Sequence, residues 1–383
     1  MKFAFLESLV KDAYVFDVKD NCVRYILSGK KRDDLAAVKE TILAAGYTVA
    51  QETHIGENDF VTLRGEDGDV VLGYYNYNHT ISIVTDALGA RSRAPLAPTT
   101  VEKKTTPKFC YLGLRGMNEE GNDNGMGFVF ILSDGRFVIY DGGYENDAEG
   151  LLAFLEKHNV RDEKPRVAAW MLTHSHGDHY GALAKIAREC PDRLTVEAFI
   201  LKPRHVQYEF EQYEPFLAEY FEDAVHAKYP DAAVIAPHTG QHLCFGDAVI
   251  EILSTEEEIL PQHFRWLNET SIYSRVFLGG QSFLCPADAE LAIDVLVPTV
   301  WGDALKSDFL QQTHHAFSGG SFMIYDLVQP DMVFWTCNRR IMEKYGKPTY
   351  NNGYNYYLIE MVKEHHVYDD GDLVFELPYQ AKK

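Results

Sequence analysis

Apolar and polar residues in the first part of the chain follow two different periods. Residues 33–45 carry apolar side chains at helical spacing and are followed by Gly46, which predicts a helix that ends there. Short apolar-rich segments separated by Gly, Asn and Asp predict four strands, at 47–53, 59–64, 69–75 and 80–84. Together these elements predict a small α+β module over residues 1–86, whose role the sequence does not indicate.

The composition changes after this module. Residues 87–107 contain three prolines and a Thr-rich end, which predicts a linker. Beyond the linker, the apolar run 167–172 predicts a buried strand, and the Ala-rich stretch from Gly181 predicts the start of a helix. We therefore expect a second, larger domain over residues 108–383, with a strand-to-helix turn between that strand and that helix.

This turn concentrates side chains that bind metals. His174, His176 and His179 stand with Asp178 inside six consecutive positions. In extended chain His174 and His176 project to the same side, and Gly177 lets the next two residues turn toward a second position. A surface turn that merely contains histidines is the alternative, but clustered His and Asp are the pattern of a metal or catalytic centre. Imidazole nitrogen with carboxylate oxygen favours zinc, manganese or iron over calcium or magnesium.

These residues form a His-x-His-x-Asp-His motif, and through it the chain resembles the metallo-β-lactamase superfamily. The surroundings look like the branch that includes the hydrolase domain of ComEC, a bacterial DNA-uptake protein. The likeness extends over about residues 108–378 and leaves the preceding residues unexplained. The other stretches that agree, in chain order, are 124–132, 137–143, 268–271, 284–290, 313–318 and 345–348.

The resemblance implies a fold and a set of ligands. The fold would be an αββα sandwich, with two mixed sheets face to face and helices outside, preceded here by the small α+β module. One or two Zn²⁺ or Mn²⁺ ions would bind at one edge, and Asp141 would accept a hydrogen bond from a ligating imidazole. The implied ligands are His174 and His176 for a first ion, Asp178, His179 and His315 for a second, and Asp288 as a bridge between them.

The chain departs from the superfamily at the first ion. Better-known members supply a third histidine from the turn that corresponds to 268–271, where this chain has Asn268, as the ComEC-like branch does. An Asn oxygen or a water molecule in place of imidazole predicts weaker binding and greater tolerance of manganese. Four other histidines of the intervening stretch have no spacing that indicates a substitute ligand: His205, His238, His242 and His263.

Two further residues concern the substrate more than the metal. Lys347 stands where the family commonly has His, and it would either contact an anionic substrate or be an ordinary surface lysine. Neighbouring side chains diverge in extended chain, so only one of His314 and His315 should bind the second ion. We favour His315 as the ligand and His314 as a proton donor or substrate contact.

Net charge and cysteine content indicate the class of substrate and the cellular compartment. The 36 Lys and Arg against 57 Asp and Glu give 36 − 57 = −21, which disfavours a long polyanion such as DNA without excluding a local channel. Six dispersed cysteines without a Cys-x-x-Cys pair predict free thiols in a reducing compartment, and we expect a cytoplasmic protein. No secretory signal and no membrane-length apolar run is evident, and the oligomeric state stays open.

These observations predict a metal-dependent hydrolase in which Asp178 and Asp288 orient the attacking water against a small anionic ester or phosphodiester. The alternatives are a ComEC-like nuclease and a non-catalytic binding or regulatory protein with an incomplete first metal site. A redox di-iron role would expect Glu where His176 stands. An aromatic and acidic stretch at 203–230 predicts an amphipathic helix, or else a lid beside the metals.

Overall fold

A six-stranded antiparallel sheet and one helix form the N-terminal part of the computed structural model, which describes residues 3–19, 21–87, 92–116, 125–161, 163–202, 221–259 and 267–382. The strand order is β1-β2-β6-β5-β4-β3. The elements are β1 (Tyr14–Lys19), β2 (Cys22–Ser28), α1 (Arg32–Ala44), β3 (Thr48–Ile55), β4 (Asn58–Arg64), β5 (Asp69–Tyr75) and β6 (Thr80–Asp86).

The predicted helix and four predicted strands are confirmed to within two residues at each end. Leu35, Val38 and Ile42 lie at helical spacing along α1 and are buried against one face of the sheet. Strands β1 and β2 were not predicted from the sequence. In the central strands β5 and β6 every residue is buried, because both faces of this sheet are covered.

Two further sheets make up the rest of the fold. The second sheet begins with β7 (Lys108–Tyr111), β8 (Gly127–Ile131), β9 (Phe137–Asp141), β10 (Arg166–Met171), β11 (Thr195–Val196), β12 (Ala198–Ile200) and β13 (Ala233–Ile235). The third contains β14 (His242–Phe245), β15 (Ala248–Ser254), β16 (Tyr273–Leu278), β17 (Gln281–Cys285), β18 (Phe309–Gln312), β19 (Met332–Trp335) and β20 (Glu364–His366), after which β21 (Leu373–Glu376) returns to the second sheet beside β7. The helices are α2 (Ala148–His158), α3 (Gly177–Glu189), α4 (Phe221–Ala224), α5 (Leu291–Trp301), α6 (Phe322–Val328), α7 (Arg339–Tyr345) and α8 (Tyr354–Met361).

The second and third sheets pack face to face, which confirms the expected αββα arrangement. Phe109 of the second sheet lies 4.6 Å from Phe283 and 4.7 Å from Phe334 of the third, measured between ring centroids. Helices α2 and α3 bury apolar side chains against the second sheet, and α5, α6 and α8 bury theirs in a separate cluster behind the third. Both sheets mix parallel and antiparallel pairs.

The N-terminal sheet packs directly on the sandwich through the face opposite α1. Phe60 and Val84 of this sheet share a buried cluster with Trp301 of α5. The residues expected to form a linker also contact the sandwich: Ala94 and Leu96 are buried in its core. No helix in the described ranges combines the length and apolar character needed to cross a bilayer.

Candidate metal centre

The metal-binding motif lies where β10 ends and α3 begins. The sequence placed the helix start at Gly181, and this is wrong: α3 begins four residues earlier, at Gly177. His176 is the extended residue before the helix, and Asp178 lies in the first turn, where a carboxylate is favoured by the helix dipole. Gly181 lets this turn of α3 approach the preceding loop, since a Cβ at that position would lie 2.7 Å from the backbone nitrogen of Glu145.

Four side chains converge on one point, which we call the second position: Asp178, His179, Asp288 and His315. Asp288 Oδ2 lies 3.3 Å from His179 Nε2 and 3.2 Å from His315 Nε2. Asp178 Oδ2 lies 3.3 Å from His315 Nε2, and Asp178 Oδ1 lies 3.9 Å from His179 Nε2. Two donors on one tetrahedral zinc ion are about 3.3 Å apart when each bond is about 2.0 Å long. Three of the four separations match this distance, and the donor atoms of Asp178, His179 and His315 all lie within 4.8 Å of one another, so these side chains could hold one ion.

A less complete group lies beside it, which we call the first position: His174, His176 and Asp288. His174 Nε2 lies 3.0 Å from His176 Nδ1 and 3.9 Å from Asp288 Oδ2. Asn268 is buried nearby, but its Nδ2 is directed at Glu290 Oε1 and His314 Nε2, at 3.0 and 3.1 Å. Asn268 Oδ1 has no hydrogen-bond partner among the described residues. The first position thus has two imidazoles and one carboxylate where the second has four protein donors.

Asp141 orients His179 by contacting the ring nitrogen that faces away from the cluster. Its Oδ2 lies 2.8 Å from His179 Nδ1, and Thr173 donates to both carboxylate oxygens, from its backbone N–H and its hydroxyl, at 2.8 Å each. Asp141 has a left-handed φ of 52°, which Asp tolerates better than most residues, and Trp170 Nε1 donates to its carbonyl. With Nδ1 of His179 donating to Asp141, Nε2 presents its lone pair to the cluster.

The two neighbouring histidines are separated by an unusual backbone and not by extended chain, which corrects the sequence-based argument. His314, His315 and Ala316 all have left-handed φ values, of 46°, 49° and 72°. His315 Nδ1 donates to the carbonyl of Thr336 at 2.8 Å, which leaves Nε2 for the second position. His314 Nε2 accepts from Asn268 and lies 3.9 Å from Asp288 Oδ2. Such backbone strain is typical of functional sites.

The carboxylates and imidazoles of the cluster shift one another's pKa values. Burial would lower the pKa of His315, but the Asp288 and Asp178 carboxylates raise it to about 9. Burial would likewise lower the pKa of His179, yet Asp288 and Asp178 hold it well above its usual value. Burial would raise the pKa of Asp288, but His315 and His179 hold it well below the usual range. The carboxylates therefore need positive charge beside them, from protons or from a cation.

The donor set fits a transition-metal ion. Asp288 Oδ1 is buried and makes no hydrogen bond with any described residue, so an acceptor is left over at the centre of the cluster. Two overlapping triads, His174 with His179 and Asp288, and Asp178 with His179 and His315, place their donor atoms within 4.8 Å of one another. Imidazole nitrogens and carboxylate oxygens in this number suit zinc, manganese or iron.

Other residues singled out from the sequence lie away from the cluster. Lys347 is exposed after α7, and no contact among the described residues joins its side chain to the cluster. His242 lies 3.0 Å from Glu251, and His238 belongs to a different buried group. The remaining candidates for a third ligand, His205 and His263, lie outside the described residues, as does most of the aromatic stretch at 203–230.

Three residues to which the sequence assigned no role support the cluster: Thr173, Glu290 and Ser318. Thr173 holds Asp141, as described above. Glu290 Oε1 lies 3.3 Å from His314 Nδ1, and Ser318 Oγ lies 2.6 Å from the same nitrogen. Glu290 and Ser318 lie inside the stretches 284–290 and 313–318 that resemble the family, close to Asp288 and His314, but no role was assigned to either from the sequence.

One family match covers the part of the chain that holds the cluster. Residues 123–316 match a family described as the metallo-beta-lactamase superfamily, and this range contains every residue of both positions. No curated protein is significantly similar to the chain.

Several solved structures are similar to the chain at low sequence identity. CmlA, a diiron beta-hydroxylase from Streptomyces venezuelae, is 13% identical over 72% of this chain and 55% of CmlA, with a TM-score of 0.41. A protein described as a metal-dependent hydrolase, from Parabacteroides distasonis, is 12% identical over 66% of this chain and 96% of its own length, with a TM-score of 0.35. Zn(2+)-bound PqqB from Methylobacterium extorquens is 11% identical over 60% of this chain and 66% of PqqB, with a TM-score of 0.33. The chain thus spans little more than half the length of CmlA.

Proposed function

Because this chain belongs to the metallo-beta-lactamase superfamily, we propose that its histidine and aspartate cluster binds one or two divalent transition-metal ions and hydrolyses a small anionic ester or phosphodiester. The observation that carries the proposal is the clustering of Asp178, His179, Asp288 and His315, in which each aspartate has a carboxylate oxygen 3.2–3.9 Å from Nε2 of both histidines. Zinc and manganese are the ions we expect.

Each residue around the cluster has a part in this proposal. A bound divalent ion would lower the pKa of a water molecule and polarise the carbonyl or phosphoryl group of the substrate. Asp178 and Asp288 would orient the attacking water by accepting its hydrogen bonds. His314 would move a proton, because its Nε2 lies beside Asp288 and its Nδ1 beside Glu290. Asp141 would keep His179 in the tautomer that binds metal.

The net charge supports a compact substrate. At −21 the protein repels a long polyanion on average, whereas a small anion need satisfy only the metal ions and the groups beside them. Asn268 would contact such a substrate, since it lies beside the cluster, next to His314 and Glu290.

The test is hydrolysis by protein reconstituted with zinc or manganese. Chromogenic phosphodiester, ester and β-lactam substrates are compared with single-stranded and duplex DNA, and Asp288→Asn is the control because it removes the shared charge with little change of size. We expect turnover of a small substrate that is lost in Asp288→Asn. Metal-loaded wild-type protein without turnover of any substrate would contradict the proposal.

Two other outcomes would identify the alternatives. DNA degradation that is lost in Asp288→Asn and weakens steeply as salt rises would favour a ComEC-like nuclease with a local basic channel. Tight metal binding without turnover would favour a binding or regulatory protein, a candidate that rests on Asn268 replacing the third imidazole of the first position.

A further inference from the structure

A second group of metal-binding side chains lies between the N-terminal sheet and the sandwich. Cys22, Asp86 and His238 each direct one donor atom to a common point, within 4.8 Å of one another. All three are at most 2% exposed. None of them belongs to the first or second position described above.

The register of the N-terminal sheet brings two of these residues together. Cys22 on β2 pairs directly with Asp86 on β6 in antiparallel register. Directly paired residues point to the same face of a sheet, with Cβ atoms about 4.5–5.5 Å apart. That face also carries Val84 and packs on the sandwich, so the thiol and the carboxylate both face the larger domain.

His238 reaches the same point from the sandwich, in the loop between β13 and β14. Its Nδ1 lies 3.0 Å from Glu257 Oε2 and its Nε2 lies 3.3 Å from Asp86 Oδ2. Nε2 makes no hydrogen bond with any described residue, although His238 is only 1% exposed. A carboxylate on one ring nitrogen with the other directed at a metal is the usual arrangement of ligating histidines. The 3.3 Å separation from Asp86 matches the second position and suits tetrahedral zinc.

A buried cation, Lys202, lies on the Nδ1 side of His238 and not on the Nε2 side that faces Asp86. Lys202 Nζ lies 2.9 Å from the carbonyl of Pro237, 2.5 Å from Glu257 Oε2, and 3.3 Å from both Thr255 Oγ1 and His238 Nδ1. An ammonium group has three protons, which the Pro237 carbonyl, Glu257 and Thr255 can accept, and His238 Nδ1 can then donate to Glu257 Oε2 at 3.0 Å. The charges of Lys202 and Glu257 cancel each other. The two negative charges of Asp86 and a Cys22 thiolate would balance the two positive charges of one divalent ion.

We propose that Cys22, Asp86 and His238 bind a zinc ion that joins the N-terminal sheet to the sandwich. The donors are one sulfur, one oxygen and one nitrogen, a set that suits zinc and not calcium or magnesium. Binding would release the thiol proton of Cys22 to solvent. The buried position makes the role structural, independent of the hydrolytic site.

Cobalt substitution tests this proposal, because a thiolate ligand gives a charge-transfer absorption band that imidazole and carboxylate ligands do not. Wild-type protein stripped of metal and reloaded with cobalt should show the band. Cys22→Ser should abolish it and lower bound metal by one ion per chain. Cys244→Ser and Cys285→Ser, which alter other buried cysteines, should keep both the band and the bound ion. Asp288→Asn should also keep the band.

A second measurement is thermal stability. Zinc should raise the Tm of wild-type protein and of Asp288→Asn. The increase should be smaller for Cys22→Ser and for His238→Gln. If Cys22, Asp86 and His238 were joined only by hydrogen bonds, the wild type would show no cobalt–thiolate band. That result overturns the proposal even if both variants fail to fold. A band that persists in Cys22→Ser would overturn it as well.

Discussion

The carboxylate of Asp141 accepts a hydrogen bond from His179 Nδ1 at 2.8 Å, and this contact determines which nitrogen of His179 faces the metal-binding cluster. His179 Nε2 then lies 3.3 Å from Asp288 Oδ2. Asp141 is itself held by two hydrogen bonds from Thr173. We therefore expect the metal affinity of the cluster to depend on Asp141, a residue that contributes no ligand.

Replacing Asp141 by Asn should lower metal affinity. The Asn side chain can present its amide N–H to His179 and so favour the tautomer with its proton on Nε2, which cannot bind metal. Outer hydrogen bonds of this kind change metal affinity by roughly 10- to 100-fold. Competition titration with a chromophoric chelator measures the loss. Asp134→Asn, a buried carboxylate paired with Arg136 away from the cluster, should leave the affinity unchanged; equal losses in both variants would contradict the assigned role.

Replacing Asn268 by His should tighten the first position. In the wild type this position should release its ion before the second during chelation, because only His174, His176 and Asp288 lie around it. An imidazole at residue 268 adds a better ligand for zinc than an amide oxygen. Isothermal calorimetry should resolve two unequal sites in the wild type and a smaller difference in Asn268→His. Glu269→His places an imidazole one residue further on and serves as the control. Two equally tight wild-type sites would be inconsistent with the proposal.

Replacing His314 by Gln should slow turnover without removing metal. His314 Nε2 lies 3.9 Å from Asp288 Oδ2, but His315 and not His314 completes the second position. A proton-transferring side chain contributes roughly 10²–10⁴-fold to the rate. We expect kcat to fall by that order while elemental analysis gives the same metal content and KM changes little. Loss of an ion in His314→Gln would show instead that His314 is a ligand.

Asp294 on α5 should make the protein less stable as the pH rises. Burial raises the pKa of this carboxyl from 3.8 to about 8. Between these two pH values Asp294 is ionised in the unfolded chain but protonated in the folded protein. Its contribution to the free energy of unfolding is therefore fully present below about pH 4 and decreases as the pH rises to about 8. The decrease is at most about 1.4 kcal/mol per pH unit.

Asp294→Asn tests this dependence because the amide is neutral throughout. Its Tm should exceed that of wild type at pH 8 and approach it at pH 4, and its carbonyl oxygen can still accept the hydrogen bond from the backbone of Gly320. The exposed Asp303→Asn is the matched control and should follow the wild-type curve. A constant Tm difference between Asp294→Asn and wild type at every pH would rule out titration of Asp294 as the cause.

Much of the N-terminal module could be predicted because its signals are local. Helix α1 shows apolar residues at a period of 3.6, and strands β3 to β6 are separated by turn-forming residues. The start of α3 was misplaced by four residues, because the apolar pattern begins only at Gly181 whereas the hydrogen-bonded helix begins at Gly177. Periodicity shows where a helix packs and not where its first turn forms.

The sequence by itself determined the chemistry of the centre, because His174, His176, Asp178 and His179 are close neighbours along the chain and their donor atoms suit few metals. The family resemblance also implied Asp288 and His315, but only the tertiary structure shows how these two residues reach the motif. Asp288 meets His179 across 109 residues, and the left-handed backbone at His315 turns one histidine and not its neighbour toward them. Such contacts depend on sheet register and on the meeting of strand ends, and no local pattern of side chains encodes either.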